Sequence, residues 1–303
     1  MQKQISNISI AIVTKNRRQK LSRCLFSILN QTHHPIEVII IDNDPKLSAK
    51  KIIRSSVFSL LSISYFSSSG TVPECRNLAL SKSKTRYLGF VDDDCILKEN
   101  WLVSGLNSIA LQQQAFVVGH TLLLNPKNIL ALAQHARDSY WKKHNFYLGN
   151  NQGVFDTKNI ILDLKKIRKF NLKFDQKCHF DVYDSADFDF GFQLKKAKLL
   201  GSYCFKMQLF HEETSTYQRF INRAYARGKI ASHISDKWNL GDGLINSKDA
   251  FFGLWLLRLI KHFYMDFQRY YDFIPAPMVK KFLAIIFIKI TERHYALGYL
   301  HDK

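Results

Sequence analysis

The chain has 303 residues, of which 46% are hydrophobic and 23% charged, and it carries a formal net charge of +19. That balance excludes a disordered polyelectrolyte, and the length suits one large α/β domain with additions, or two small domains. The charge favours anionic partners such as nucleic acid, lipid headgroups or phosphorylated substrates, without choosing among them.

Ile8 to Val13 is short, β-branched and apolar, which predicts a buried strand. A polar loop from Thr14 to Arg18 follows. Leu21, Leu25, Ile28 and Leu29 then recur at helical spacing, ending near Asn30. Glu37 to Asp42 predicts a second buried strand, stopped by Asn43-Asp44-Pro45. Strand, helix, strand implies a parallel pair joined by a right-handed crossover. The pattern repeats with a helix from Lys46 to about Phe58 and a strand from Leu61 to Phe66. A short helix from Pro73 to Ser81 comes next, with proline in its first turn. The strand Arg86 to Val91 runs straight into Asp92-Asp93-Asp94.

Such alternation predicts a doubly wound sheet, whose ligands bind outside the carboxyl ends of the strands. Thr14, Asp42 and Asp92 to Asp94 all stand at such ends. They are therefore expected to converge on one edge.

Beyond Asp94 the pattern loosens. A helix from Trp101 to about Gln113 and a strand from Ala115 to Leu124 are expected. Residues 131–153 show no clean period. A second acidic cluster, Asp184, Asp187 and Asp189, lies on or before a helix. Lys206 to Phe210 suggests a last strand leading to His211, and from Thr216 onward the chain reads as mainly helical. The segments 251–264 and Phe282 to Ile288 are aromatic or apolar and edged with Lys and Arg. They suit in-plane helices on an anionic leaflet, or packing against the catalytic domain or a second subunit.

Five cysteines at wide spacing, with no CxxC, argue against a disulfide framework or zinc site and fit a reducing compartment. The first residues lack the apolar core and cleavage site of a signal peptide, and no apolar run reaches the ~18 residues of a membrane span. A cytoplasmic protein is expected, with peripheral attachment to the inner face of a membrane as a further expectation.

Three adjacent carboxylates repel one another at a strand end unless a cation or hydrogen-bond donors offset them. Mg2+ and Mn2+ favour such oxygen ligands and complete their shells with phosphates and water. An acidic loop with helix-capping aspartates is the alternative. Four features decide the weighting by standing in order: Val13-Thr14-Lys15-Asn16-Arg17; Ile40-Ile41-Asp42-Asn43; Gly70 with Arg76-Asn77; and Phe90-Val91-Asp92-Asp93-Asp94. The ordered set resembles the family 2 glycosyltransferases, with their GT-A fold, over roughly residues 8–215.

The resemblance implies an inverting transferase that moves a sugar from a nucleotide diphosphate donor, most readily a UDP-sugar, to a hydroxyl of a saccharide or lipid-linked acceptor. Cell-surface polysaccharide or lipopolysaccharide synthesis is the setting it suggests. Residues 1–115 would bind the donor, 116–215 the acceptor, and 216–303 would form a helical extension. Thr14 and Asp42 look like nucleobase contacts, Arg76 like the arginine near the base, and Asp92 or Asp93 like the ribose or sugar ligand. Asn16 and Arg17 go with them to donor binding. Asp94 is similar to the metal-ligating aspartate of D-x-D, holding Mn2+ or Mg2+, and His211 to a further metal ligand.

The segment Ser185 to Leu194 resembles the family's E-D-x-D-F-G-x-R-L, with Ala186 in place of the usual Glu and Gln193 in place of the usual Arg. Asp187 then matches the catalytic base. Basic residues 165–169 could meet a phosphorylated acceptor or a membrane, or simply form a solvated helix face. The competing readings are a metal-dependent nucleotidyltransferase, which lacks a glycine-rich phosphate loop here, and a basic nucleic-acid-binding protein, which leaves the acidic clusters unexplained. No nucleic-acid partner is expected.

Overall fold

The computed structural model describes residues 4–147, 155–213, 216–241 and 263–301. They divide between two compact units. The first comprises Met1–Leu122, Asn151–Gln176 and Phe190–His211, and the second Leu123–Asn150, Lys177–Asp189 and Glu212–Lys303.

An eight-stranded sheet dominates the first unit. Its strands are β1 (Gln4–Thr14), β2 (His33–Asp42), β3 (Ile63–Ser67), β4 (Tyr87–Val91), β5 (Cys95–Leu97), β6 (Phe116–Leu123), β7 (Asn159–Asp163) and β10 (Gly201–His211). Their order across the sheet is β3-β2-β1-β4-β7-β6-β10-β5. Strands β3, β2, β1 and β4 pair parallel, as the strand-helix-strand reading requires. Strand β7 joins β4 and β6 antiparallel, and β5 joins β10 antiparallel. Helices α1 (Arg18–Leu29), α2 (Ser48–Ile53), α3 (Val72–Lys82), α4 (Trp101–Leu111) and α6 (Leu164–Lys169) connect the strands.

The core explains this arrangement. Ile8, Ile10 and Ile12 of β1 alternate into a buried cluster with Leu21, Leu25 and Ile28 of α1. The intervening residues are also buried, as befits a central strand covered on both faces. Helix α3 begins on a capping box, Thr71 accepting from the Glu74 amide at 3.5 Å while Glu74 accepts from the Thr71 amide at 2.6 Å.

Several expectations need correction. The helix foreseen from Lys46 to Phe58 is split into α2 and a single 3-10 turn, Ser56–Phe58. Leu47 takes a left-handed backbone, φ 48°, before α2, and Ser55 is extended after it. Residues 131–153, read as having no clean period, include most of a 19-residue helix, α5 (Ile129–Tyr147). Its first turns bury Ala131, Leu132, Ala133 and Ala136 together, so no amphipathic stripe marks them. Asn128 caps it, accepting from the amides of Leu130 and Ala131 at 2.9 and 3.0 Å. Strands β5 and β7 were not anticipated either.

The basic run 165–169 is largely committed to local structure. Arg168 donates to the carbonyls of Leu80 and Ser83 at the end of α3, and Lys166 to that of Gln113. The segment 251–264 lies almost wholly outside the described residues.

The second unit holds α5, a two-stranded hairpin of β8 (His179–Phe180) and β9 (Tyr183–Asp184), and the start of α7 (Ala186–Lys196). It also holds α8 (Tyr217–Trp238), α9 (Phe263–Tyr270) and α10 (Met278–His301). Its core gathers Leu130, Leu132, Phe220, Ile274, Ile285 and Ile288. Helices α8 and α10 touch backbone to backbone. A Cβ on Gly228 would lie 2.0 Å from the Tyr295 carbonyl oxygen, and one on Gly298 would lie 2.0 Å from that of Tyr225. Only glycine tolerates such an approach. Gly228→Val should lower stability by roughly 1–3 kcal/mol through forced separation of the helices, read as a fall in the urea midpoint. An unchanged midpoint would contradict the close crossing.

Candidate active site

The site forms where parallel strands end. Thr14 and Asp42 are register partners at the ends of β1 and β2, and Asp42 pairs with Ser67 at the end of β3. Strand β4 delivers Asp92, Asp93 and Asp94 beside them. Thr14 Oγ1 donates to Asp93 Oδ2 at 2.7 Å. Arg17, at the N-cap of α1, donates through Nη1 to Asp93 Oδ1 at 3.0 Å and Asp94 Oδ2 at 3.2 Å. Lys20, in the first turn of α1, lies 3.6 Å from Asp94 Oδ2. Arg76 Nη2 approaches Asp92 Oδ1 at 3.8 Å. His211, the last residue of β10, brings Nε2 to 3.3 Å from Asp94 Oδ1.

The three carboxylates are therefore not equivalent. Asp93 is almost fully buried, and burial pushes its carboxyl up to about 6 against the pull of Arg17 and Thr14. Burial would raise Asp94 as well, but His211, Arg17 and Lys20 outweigh it and hold Asp94 well below the usual carboxylate range. Asp92 is the most exposed of the three, with 39% of its side chain accessible. One buried acid is thus tied into the protein, one is kept anionic beside an imidazole, and one faces outward.

Asp42 has a different setting. It is fully buried, and its oxygens accept from the Asp44 amide at 3.2 Å, the Ala49 amide at 3.0 Å and the Tyr65 hydroxyl at 3.0 Å. It thereby organises the loop into α2. Burial and the Asp42 carboxylate push the Tyr65 phenol up to about 12. Asn16 is exposed on the turn after β1, with a left-handed φ of 53°.

Arg76 is half of an arginine-asparagine pair whose members do different things. Its guanidinium stands 5.8 Å from the centroid of the Phe174 ring. Asn77 clamps the backbone of Phe174, accepting from its amide and donating to its carbonyl, both at 2.8 Å. Phe174 stacks on Phe190 at 4.6 Å, and Phe190 on Phe155 at 4.8 Å. The position of Arg76 is thus set by an aromatic column.

Asp187 and Asp189 are described in the second unit. Asp187 is half-buried in the first turn of α7, where its Oδ1 accepts from the Phe188 amide at 2.9 Å. Asp189 is fully buried and accepts from Lys237 Nζ and Trp238 Nε1, each at 2.8 Å. It anchors α7 to the end of α8. Gln193, standing where the family pattern has Arg, exchanges hydrogen bonds with the backbone of Lys173.

Sequence reading passed over two cations. Lys20 could have been found from its spacing of three after Arg17 on a helix. Lys158 could not, because β7 was not foreseen. It is buried, 3.3 Å from Asp156, and close enough to act on Asp92.

The chemistry of the donor set fits a hard divalent cation. Asp94 Oδ1 is buried with no hydrogen-bond partner, although it faces His211 Nε2. Ligand atoms of Asp94, Cys95 and His211 lie within 4.8 Å of one another. Burial and the neighbouring aspartates push the Cys95 thiol well up, which makes it a poor ligand beside the other two.

An open α/β sheet with a carboxylate triplet at its strand ends places a ligand site on that edge. The family model described as glycosyl transferase family 2 matches residues 9–170, more than half of the chain, and the chain belongs to that family. It is 27% identical over 107 residues to the glycosyltransferase AglE of Haloferax volcanii, covering 34% of this chain and 35% of that protein. It is 30% identical over 125 residues to an uncharacterized glycosyltransferase of Rickettsia bellii, covering 40% of this chain and 18% of that one. The matched stretches therefore span well under half of these relatives. Among solved structures, the mannosyltransferase PcManGT from Pyrobaculum calidifontis, in complex with GDP-Man and Mn2+, superposes with a TM-score of 0.66 at 10% identity, covering 98% of this chain and 88% of that one. Residues 1–349 of S. aureus TarS give 0.53 at 12% identity, covering 98% and 92%. These likenesses show the fold.

Asp42→Ala would leave a phenol and two amides without their acceptor. It should cost roughly 1–3 kcal/mol of stability, measured by thermal or urea unfolding without nucleotide. A stability equal to wild type would mean that Asp42 does not organise the loop.

Proposed function

We propose that the protein is an inverting glycosyltransferase that moves a sugar from a nucleotide diphosphate donor, with UDP as the expected nucleotide, to the hydroxyl of a saccharide or lipid-linked acceptor. The observation that carries this reading is Asp94, held anionic and facing His211 at the end of β4 with a buried oxygen left over. Residues 1–115 serve the donor and 116–215 the acceptor.

Asp94 and His211 would hold Mn2+ or Mg2+, which when bound supplies Lewis-acid stabilisation of the diphosphate leaving group. Thr14, Asn16, Arg17, Asp42 and Arg76 serve the nucleotide, and Asp92 or Asp93 the ribose or sugar. Thr14 and Arg17 keep Asp93 in place, and Arg76 stands over Asp92, where an incoming phosphate would find a positive charge. Asp187 takes the proton of the acceptor hydroxyl as its oxygen attacks the anomeric carbon. The bond from that carbon to the diphosphate oxygen breaks on the opposite face, and the nucleoside diphosphate leaves with the electron pair. Ala186, where the family pattern has Glu, gives Asp187 no second carboxylate at that position.

Membrane contact is proposed for the start of α10. Met278, Val279, Phe282 and Leu283 are all exposed there, on one side of its first turns, beside exposed Lys280. With a net charge of +19, an anionic leaflet is the surface this face fits. No helix among the described residues is long and apolar enough to cross a membrane.

UDP with Mn2+ should raise the melting temperature, since a ligand of the folded state stabilises it, and Asp94→Asn should remove that shift. Asp187→Asn should keep the shift but lower transfer at least 100-fold, on the scale of a general base. Transfer at the wild-type rate would take Asp187 out of that role, and a screen including GDP-mannose would decide the base. Flotation with anionic vesicles should recover the wild type at low salt and lose Phe282→Asp. Equal recovery of both proteins would refute the α10 contact.

A further inference from the structure

Three arginines from two helices, α5 and α8, come close in the second unit. Arg223 and Arg227, four residues apart on α8, share one face. Arg227 Nη1 lies 3.5 Å from Asp138 Oδ1 on α5, next to Arg137. Arg137 Nη1 reaches Thr291 Oγ1 of α10 at 3.4 Å, and its Nε is buried with no hydrogen-bond partner. Arg223 Nη1 lies 3.4 Å from Glu213 Oε2. The Gly228–Tyr295 contact draws α10 against this part of α8.

Structural ion pairs on arginine close at about 2.7–2.9 Å, often through both fork nitrogens. The Arg227–Asp138 pair is longer, 3.5 Å through one nitrogen, and Arg137 meets only a neutral hydroxyl, at 3.4 Å. Each guanidinium has five donors. The side chains of Arg223 and Arg227 are 23% and 21% accessible, so a small solute can reach them. Burial and the neighbouring charge of Arg223 lower the Arg227 guanidinium to about 10, with Arg137 adding to the repulsion. Asp138 and Asp187 oppose that shift. The cluster is thus crowded with positive charge, and the aspartate assigned above as the base is among the charges that act on it.

We propose that Arg137 and Arg227, with the charge of Arg223 beside them, bind the phosphate of a phosphorylated acceptor, setting the hydroxyl that it carries within reach of Asp187. The inference rests on the glycosyltransferase reading for the role of Asp187, and on the arginine geometry for the ligand. A phosphate offers several oxygens to several forks, and its charge offsets the repulsion among the three cations.

The test is calorimetric titration of the full chain with glycerol 3-phosphate and with octyl phosphate, in EDTA so that no divalent cation draws phosphate to Asp94. Wild type should bind at least one of them saturably. Arg137→Gln with Arg227→Gln should weaken binding tenfold or more. Arg227→Lys, which keeps the charge and removes the fork, should weaken it several-fold and stands in if the double variant fails to fold. No saturable binding by wild type, or equal binding by the variants, overturns the proposal. Tighter octyl phosphate assigns a lipid-borne acceptor, and equal or tighter glycerol 3-phosphate assigns the headgroup alone. Titration of the same proteins, freed of EDTA, with UDP and Mn2+ separates the two readings. Phosphate binding without nucleotide binding defeats the donor site and leaves the cluster, and the reverse defeats the cluster alone.

Discussion

Everything at the strand ends depends on making three consecutive carboxylates tolerable in a partly buried place. Asp92, Asp93 and Asp94 would repel one another and unfold the end of β4 if left to themselves. The chain answers with Thr14 and Arg17 on Asp93, Lys20, Arg17 and His211 on Asp94, and Arg76 near Asp92. These partners come from β1, α1, α3 and β10. The electrostatic need of the triplet therefore helps to fix which elements meet there. Most of the balance comes from side chains, yet one buried oxygen of Asp94 is left over, and a divalent cation fits that remainder.

The same logic separates roles that composition alone would merge. Asp42, Asp93 and Asp189 are the most buried acids among those read as functional. Each accepts from two or more protein donors, and each organises a loop or a helix end. Asp94 is held anionic by His211, Arg17 and Lys20, with one buried oxygen unmatched by a hydrogen bond. Burying a carboxylate is costly unless donors satisfy it. Satisfied acids can therefore stay charged in place and hold the strand ends in register for whatever binds beside them.

The first half of the fold was legible because central parallel strands are apolar on both faces and stop at polar residues. Ile8 to Val13 with Thr14, and Glu37 to Asp42, carry both signals in a few residues. The second half was not. Strand β7 is a run of only three large apolar residues before Asp163, and α5 is buried nearly all round in its first turns. Neither shows the one-sided period on which sequence reading relies. Lys158 and Arg137 were missed with them, since a cation acquires meaning only from the element that aims it. Asp42 was legible as a strand-end acid, but its bonds to Tyr65 and Ala49 join residues that no local pattern connects.

Each unit has its own apolar interior, one built on isoleucines of the sheet and one on alanine, leucine and phenylalanine of the helices. Substitutions that reshape the helices need not disturb the hydrophobic support of the carboxylate triplet. A lineage built this way could remodel its helical unit while the strand-end acids keep their footing.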